Sequence, residues 1–372
     1  MLLLLYAIVT LIFVSFVPIV FRSSAYYGVV HRAIMALVLL LFVMSISNGN
    51  FLSNKFFLGF IVLIGITGLM FLVFMSQHFH YNMGDFTQLV IVLLSLVIGY
   101  SLTLSDKQLT YLCVVYCAAA IIVGYLAVVS YTGVFSFEGN RNLIDGKNLI
   151  GGLVAVAGAV SVFLFSMDPK KKWLIVLFAL AFIVSALIRA RAAFVAFVFL
   201  GMLIALKKFP FYKVLISAII LVFVYIIFSS QIDSFLMGSL VGRGGLNIDD
   251  LSTGRAERNR LGLQYLSENF WTGELYGESD LPWIHNYLLL RLVRYGFWGS
   301  IFIFIYFYFL AKLVKEFFSV KEMKMSDIGL FLPIIPFIVS LVEPSYPFGP
   351  GTVQFFVYVL FGFYLRQKQY RV

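Results

Sequence analysis

The chain has 372 residues, 62% of them hydrophobic and only 12% charged, with a mean hydropathy of +1.00 and a net charge of +10. Repeated apolar runs of about 20 residues exclude a soluble fold and fit a polytopic helical membrane protein. The short alternating segments of a β-barrel are missing.

The opening run, MLLLLYAIVTLIFVSFVPIV, lacks a basic flank and a small-residue cleavage site, so it reads as a first spanning helix and not as a removed signal. Hydropathy predicts twelve spans, at roughly 2–21, 31–48, 57–75, 86–104, 109–130, 148–166, 173–188, 191–206, 213–230, 285–312, 328–342 and 352–365. Almost no loop separates the seventh from the eighth. No internal repeat is visible, and the loops are too short for a second soluble domain. The expected fold class is therefore all-α, a single integral membrane domain over 1–372. Its one long external loop, 231–284, carries amphipathic helices. Cys113 and Cys117 stand one helical turn apart inside an apolar run and read as buried free thiols. The four histidines are scattered, so no metal site and no cofactor are expected.

Orientation follows from basic residues on alternate loops. One side collects fifteen Lys and Arg against five acids, and the other balances twelve against twelve. The first side is expected to be cytoplasmic, with both termini in it. Topology then accounts for the whole charge excess, and no nucleic-acid partner is needed. The two sides also differ in kind: thirteen Lys and two Arg inside, eleven Arg and one Lys (Lys147) outside. Arginine's planar fork suits phosphate and carboxylate oxygens and stays charged when desolvated.

Four stretches carry most of this outer arginine. In FEGNRNLIDGKNLIGG, Asn148 lies near a helix start, where unpaired amides favour an anion, flanked by Arg141 and Lys147. Gly151 and Gly152 permit close backbone approach, either to a ligand or to a neighbouring helix. In SALIRARAAF, Arg189 and Arg191 point to different faces; one can snorkel to headgroups, and Arg191 is expected to face a cavity. From Thr253 a helical pattern places Arg255, Arg258, Asn259 and Gly262 on one face, with Arg260 pointing away and Leu263, Leu266 and Phe270 in an adjoining stripe. Pairing with local acids such as Glu257 is the bland alternative for these arginines. Last comes Trp283-Ile284-His285-Asn286-Tyr287, where the long loop re-enters the membrane, followed by Arg291 and Arg294 on other faces of the same helix. A neutral imidazole there can accept a proton, and nearby arginines would hold its pKa down.

GKNLIGGL, ALIRARAAFVAF and TGRAERNRLGLQYLSENFWTGE followed by HNYLLLRLVRYGFWG resemble, in that order, three stretches of the O-antigen polymerase and ligase superfamily. His285 to Gly296 has that superfamily's His-ten residues-Gly spacing, and Arg141 to Gly152 and Arg243 to Gly254 have a similar Arg-ten residues-Gly spacing. Ala190 stands where the family has Ser. The resemblance covers about 140–300.

The resemblance implies a multi-pass glycosyltransferase of the bacterial inner membrane, working at its periplasmic face on glycans carried by undecaprenyl diphosphate. Donor and acceptor would both be such lipid-linked oligosaccharides, with membrane lipids and a chain-length regulator as further partners. It implies that His285, Arg255 and Arg191 are catalytic, and that Arg141, Lys147, Asn148, Arg189, Arg258, Asn286, Tyr287 and Arg291 bind substrate. A polymerase is the expectation. A ligase to the lipid A core shares the donor chemistry, and a flippase or secondary transporter is the alternative of another class.

Overall fold

The computed structural model describes residues 7–10, 12–13, 36–46, 51–132, 147–188, 190–208, 255–274, 281, 284–299, 301–344, 347–348 and 352–370. Among these every regular element is helical. In chain order the longer ones are α1 (Lys55–Ser101), α2 (Asp106–Thr132), α3 (Lys147–Met167), α4 (Trp173–Ile188), α5 (Arg191–Lys208), α6 (Arg255–Asn269), α7 (Tyr287–Tyr295), α8 (Ile301–Ser319) and α9 (Thr352–Gln369). Among the described residues three stretches are long and apolar enough to cross a membrane: Gly84–Ser101, Asp106–Val129 and Asn148–Met167. The expected spans 2–21 and 213–230 lie wholly or largely outside the described residues, as does the loop 231–284 ahead of Arg255; of the expected span 31–48, residues 36–46 form an apolar helix too short by itself to cross a membrane.

The chain divides into two compact units. The first takes 1–34, 104–251 and 321–335. Its described core is the bundle of α2 to α5, whose axes are drawn together by small residues. A Cβ built on Gly151 would lie 2.2 Å from Ala190 Cβ, and one on Gly158 would lie 2.6 Å from the Phe197 ring. Gly151 thus does the packing job that was one of its two expected roles. Tyr116 Oη donates to Leu153 O at 3.3 Å, and Cys117 Sγ to Ala157 O at 3.3 Å. Both cysteines are free and buried, as expected.

The second unit takes 35–103, 252–320 and 336–372. Hydropathy predicts two spans where α1 is one continuous element, yet α1 doubles back on itself. The Phe57 and Tyr100 rings are 5.0 Å apart, whereas that many residues of straight helix would separate them by about 65 Å. Gly68 and Phe86 also meet, a built Gly68 Cβ lying 3.4 Å from the ring. Two antiparallel arms result, of which Gly84–Ser101 is long and apolar enough to cross a membrane and Lys55–Met70 is a shorter apolar helix. Helix α9 lies against the returning arm with backbones almost touching: built Cβ atoms on Gly99 and Gly362 would fall 1.8 Å from Val359 O and 2.1 Å from Leu96 O. An aromatic cluster fixes α8 to the same pair, with Phe56 stacked on Tyr308 at 5.7 Å and Phe309 against Phe361 at 5.4 Å.

Two other expected spans are broken. The run 285–312 becomes α7 and α8, separated at Gly296–Gly299. Gly296 caps α7 with φ +58°, a left-handed conformation that costs other residues energy. The run 328–342 becomes short helices at Ile328–Phe331 and Ile334–Val339, because Pro333 lacks the amide hydrogen a continuous helix needs there.

The close approach of α9 to α1 makes a testable demand. Gly99→Val places a branched side chain on a carbonyl, and overpacking of this kind costs about 1–3 kcal/mol or more. Gly65, with no neighbouring atom within 4 Å of a built Cβ, should accept alanine without loss. Thermal unfolding of the two purified variants in detergent checks this; a Gly99→Val protein that melts with wild type would refute the packing.

Candidate functional site

The site grows from α6. Its first turn bears Arg255, Arg258 and Asn259 on one side and Glu257 and Arg260 on the other, as the 3.6-residue spacing predicts. Glu257 and Arg260 form an exposed pair, with Arg260 Nη2 2.6 Å from Glu257 Oε1. That pairing lowers the Glu257 pKa, chiefly through the hydrogen bond. The bland alternative therefore holds for Arg260, and Glu257 leaves the other two arginines to different partners.

The inner face of α6 packs on the segment ahead of α7. Gly262 and Leu266 are buried, and a Cβ on Gly262 would meet Ile284 Cδ1 at 2.7 Å. Leu266, Ile284, Leu289, Leu290 and Val293 form one apolar cluster. Leu263 and Phe270, expected in the same stripe, remain largely exposed. Beyond α6 the chain is pinned to the α7–α8 break: Glu274 N donates to Val293 O at 2.9 Å, and Phe297 N donates to Phe270 O at 2.8 Å. Gly273, at φ +56°, faces Gly296, and a Cβ on either would strike the other's backbone nitrogen. The spacing from His285 to Gly296 thus has a physical content. The glycine lets the end of α7 touch the end of α6, and that contact fixes the distance between histidine and arginines.

At the head of this arrangement, Arg258 Nη1 lies 3.1 Å from His285 Nε2. A guanidinium only donates, so Nε2 accepts and the neutral ring carries its proton on Nδ1. Nδ1 is buried without a hydrogen-bond partner among the described residues, and so is Asn259 Oδ1. His285 lies ahead of α7, outside the spanning helices. Its pKa is pushed down to about 4, first by burial and then by the Arg255 and Arg258 guanidiniums. Arg255 is anchored from a direction the sequence did not disclose: Nη2 donates to Glu343 Oε1 at 2.8 Å and Nη1 to Val342 O at 2.7 Å.

The remaining residues of the HNYLLLR run hold this end of the unit together. Asn286 caps α7 by accepting from Leu289 N at 3.0 Å and donates to Leu341 O at 3.0 Å. Tyr287 is buried, stacked on Tyr306 at 5.8 Å. Arg291, expected on substrate, is only 3% exposed and donates to Asp85 Oδ2, with its guanidinium 4.8 Å from the Tyr287 ring centroid. Arg294 Nη1 reaches the same oxygen at 3.5 Å and Tyr295 Oη reaches it at 2.7 Å. Asp85 is a residue that sequence reasoning missed.

Asn148 sits half-buried in the first turn of α3. Lys147 and Arg191 begin α3 and α5, but their side chains lie outside the described residues, as do Arg141 and Arg189 entirely. These five belong to the first unit, and Arg255, Arg258, His285, Asn286, Tyr287 and Arg291 to the second. The described site is built within the second unit alone.

Asp85 sets a stability test. Removing one member of a buried ion pair costs about 3–5 kcal/mol, while replacing both by apolar residues is often neutral. Asp85→Asn should therefore unfold well below wild type in a detergent melt, and Asp85→Leu combined with Arg291→Met should recover most of the loss. Equal midpoints for Asp85→Asn and wild type would show that the pair does not hold the fold.

Comparison with protein-family models, with curated proteins and with solved structures returns no match.

Proposed function

We propose that the protein polymerises lipid-linked oligosaccharide repeat units at the outer face of the bacterial inner membrane, using undecaprenyl-diphosphate-linked glycans as donor and acceptor. The reading takes the chain as a twelve-span protein with cytoplasmic termini and with 231–284 outside. The observation that carries it is the contact of Arg258 with His285 Nε2, beside Arg255, on the arginine-rich side of the chain. Two guanidiniums and a neutral imidazole at one point form a set that can bind a diphosphate and remove a proton.

In the proposed reaction the acceptor hydroxyl attacks the donor's anomeric carbon in one inverting displacement. The new carbon–oxygen bond forms as the bond to the diphosphate breaks, and undecaprenyl diphosphate leaves with the electron pair. Arg258 and Arg255 neutralise the charge that develops on it. The hydroxyl proton passes to His285 Nε2. In the ligand-free arrangement that lone pair is taken by Arg258, so the histidine is masked until an anion draws the guanidinium away. A diphosphate in front of the pair also favours the imidazolium and raises the pKa toward working pH.

Four outcomes follow for activity. Deletion of the gene should leave single-repeat chains on a gel of surface polysaccharide; loss of every lipid A-attached chain would instead indicate a ligase. Arg258→Lys should lose most turnover despite keeping its charge, since an ammonium cannot reproduce a planar fork, whereas Lys321→Ala should be silent. His285→Ala should reduce the rate by about 10²–10⁴-fold, and His285→Gln should not rescue it. For wild type, kcat/KM reports the free enzyme and should fall only as pH drops toward about 4, the depressed value of His285. The limb in kcat should lie at higher pH. A His285→Gln enzyme with wild-type rate and pH profile would leave the histidine as a positioning group only.

A further inference from the structure

The far end of α8 presents a second charged cluster that the proposed reaction does not use. Glu316 is buried and accepts from three donors: Lys312 Nζ at 3.0 Å on Oε1, and Lys368 Nζ and Tyr364 Oη on Oε2, the tyrosine at 3.0 Å. Beside it opens a surface hollow of about 270 Å³, lined also by Asn54, Lys315, Leu365 and Gln369, with apolar stems and Leu365 forming most of its wall. Lys368, in the last turn of α9, compensates the helix dipole and needs no ligand for that. A hollow with this lining does need explaining.

Its polar groups are donors almost throughout. Asn54 Oδ1 accepts from Phe56 N at 2.9 Å, as the cap of α1, and Gln369 Oε1 accepts from Tyr100 Oη. Both amides therefore offer their NH₂ groups. The single carboxylate already accepts from two ammoniums and the tyrosine. Lys315, exposed, pairs with no carboxylate among the described residues. Three lysines against one glutamate leave the lining with two positive charges in excess, and it lies on the side that hydropathy and charge assign to the cytoplasm.

We propose that this hollow binds a phosphate-bearing anion, its oxygens held by Lys315, the outer hydrogens of Lys312 and Lys368, and the amides of Asn54 and Gln369. Phosphate has the acceptor-only surface that such a lining complements. The volume admits a phosphodiester with its glycerol, so an anionic lipid headgroup and free phosphate share the chemistry. Glu316 holds the two lysines in place and, as a like charge, limits the affinity.

The test uses the full-length protein purified in a neutral detergent. Native mass spectrometry counts bound phosphatidylglycerol at increasing lipid, with phosphatidylcholine as reference; a parallel thermal-shift titration uses inorganic phosphate against chloride at matched ionic strength. Lys315 contacts no buried acid, so its variants should fold, which the unliganded melting point verifies. Lys315→Ala should weaken binding about fivefold and Lys315→Glu more than tenfold, since each lysine near a lipid phosphate contributes about that factor. Glu316→Gln should act oppositely and tighten binding, because it frees two ammoniums; Lys321→Ala, outside the hollow, should change nothing. Selective retention of phosphatidylglycerol identifies a headgroup site, and stabilisation by phosphate without lipid retention identifies a free-phosphate site. Wild-type affinity in Lys315→Glu, or the absence of both effects, would overturn the proposal.

Discussion

The second unit is arranged around one carboxylate. Asp85, 8% exposed on a helix otherwise apolar enough to span a membrane, receives Arg291, Arg294 and Tyr295 on a single oxygen. An unpaired carboxylate at that depth would protonate or drag water inward, and an unpaired guanidinium has no neutral form to fall back on. The pair is therefore obligatory once either member is buried. It joins α1 to α7, residues 206 apart in sequence, and so fixes where α7 begins. Asn286 and His285 stand one and two residues ahead of that start, so the position of the proposed base follows from a contact it does not itself make.

The same logic recurs at the other end of α8 with different residues. There a buried glutamate takes two lysines and a tyrosyl hydroxyl; at the first end a buried aspartate takes two arginines and a tyrosyl hydroxyl. The difference in cation tracks water. Lys312 and Lys368 keep 28% and 36% of their side chains exposed, so strongly hydrated ammoniums stay partly wet. Arg291 and Arg294 keep 4% and 12%, an environment that suits the more weakly hydrated guanidinium. The expected segregation of arginine to one side and lysine to the other would thus be partly structural in origin. Arg291 serves the fold, and among the described arginines of this unit only Arg255 and Arg258 stand with the histidine.

That distinction marks how far the sequence could be read. The face of α6 was legible because 3.6-residue spacing separates Arg255, Arg258 and Asn259 from Arg260, and the structure keeps that separation. The bounds of α4 and the buried thiols were legible for equally local reasons. Asp85 and Glu343 were not: each meets its arginine across long stretches of chain, and no local pattern encodes such a partner. The break after Tyr295 was overlooked because hydropathy averages across it, although Gly296 and Gly299 are in plain view. Their need appears only when the end of α6 is seen to lie against them.

The contact between Arg258 and His285 carries a consequence for how such a site would work. A guanidinium on Nε2 lowers the imidazole's proton affinity and occupies the lone pair that catalysis would use, so the ligand-free protein holds a base that is both weak and covered. An anion that attracts Arg258 reverses both effects in one movement. Arg255 is less free to follow, since Glu343 and the Val342 carbonyl already hold two of its nitrogens. The pair thus divides into a fixed guanidinium and a movable one, and only the movable one covers the histidine. Under the proposed reaction, proton acceptance would become possible when the diphosphate is in place and not before, so a lone acceptor hydroxyl or water would meet an inert imidazole. Protection of a reactive donor from hydrolysis then comes from two side chains 3.1 Å apart.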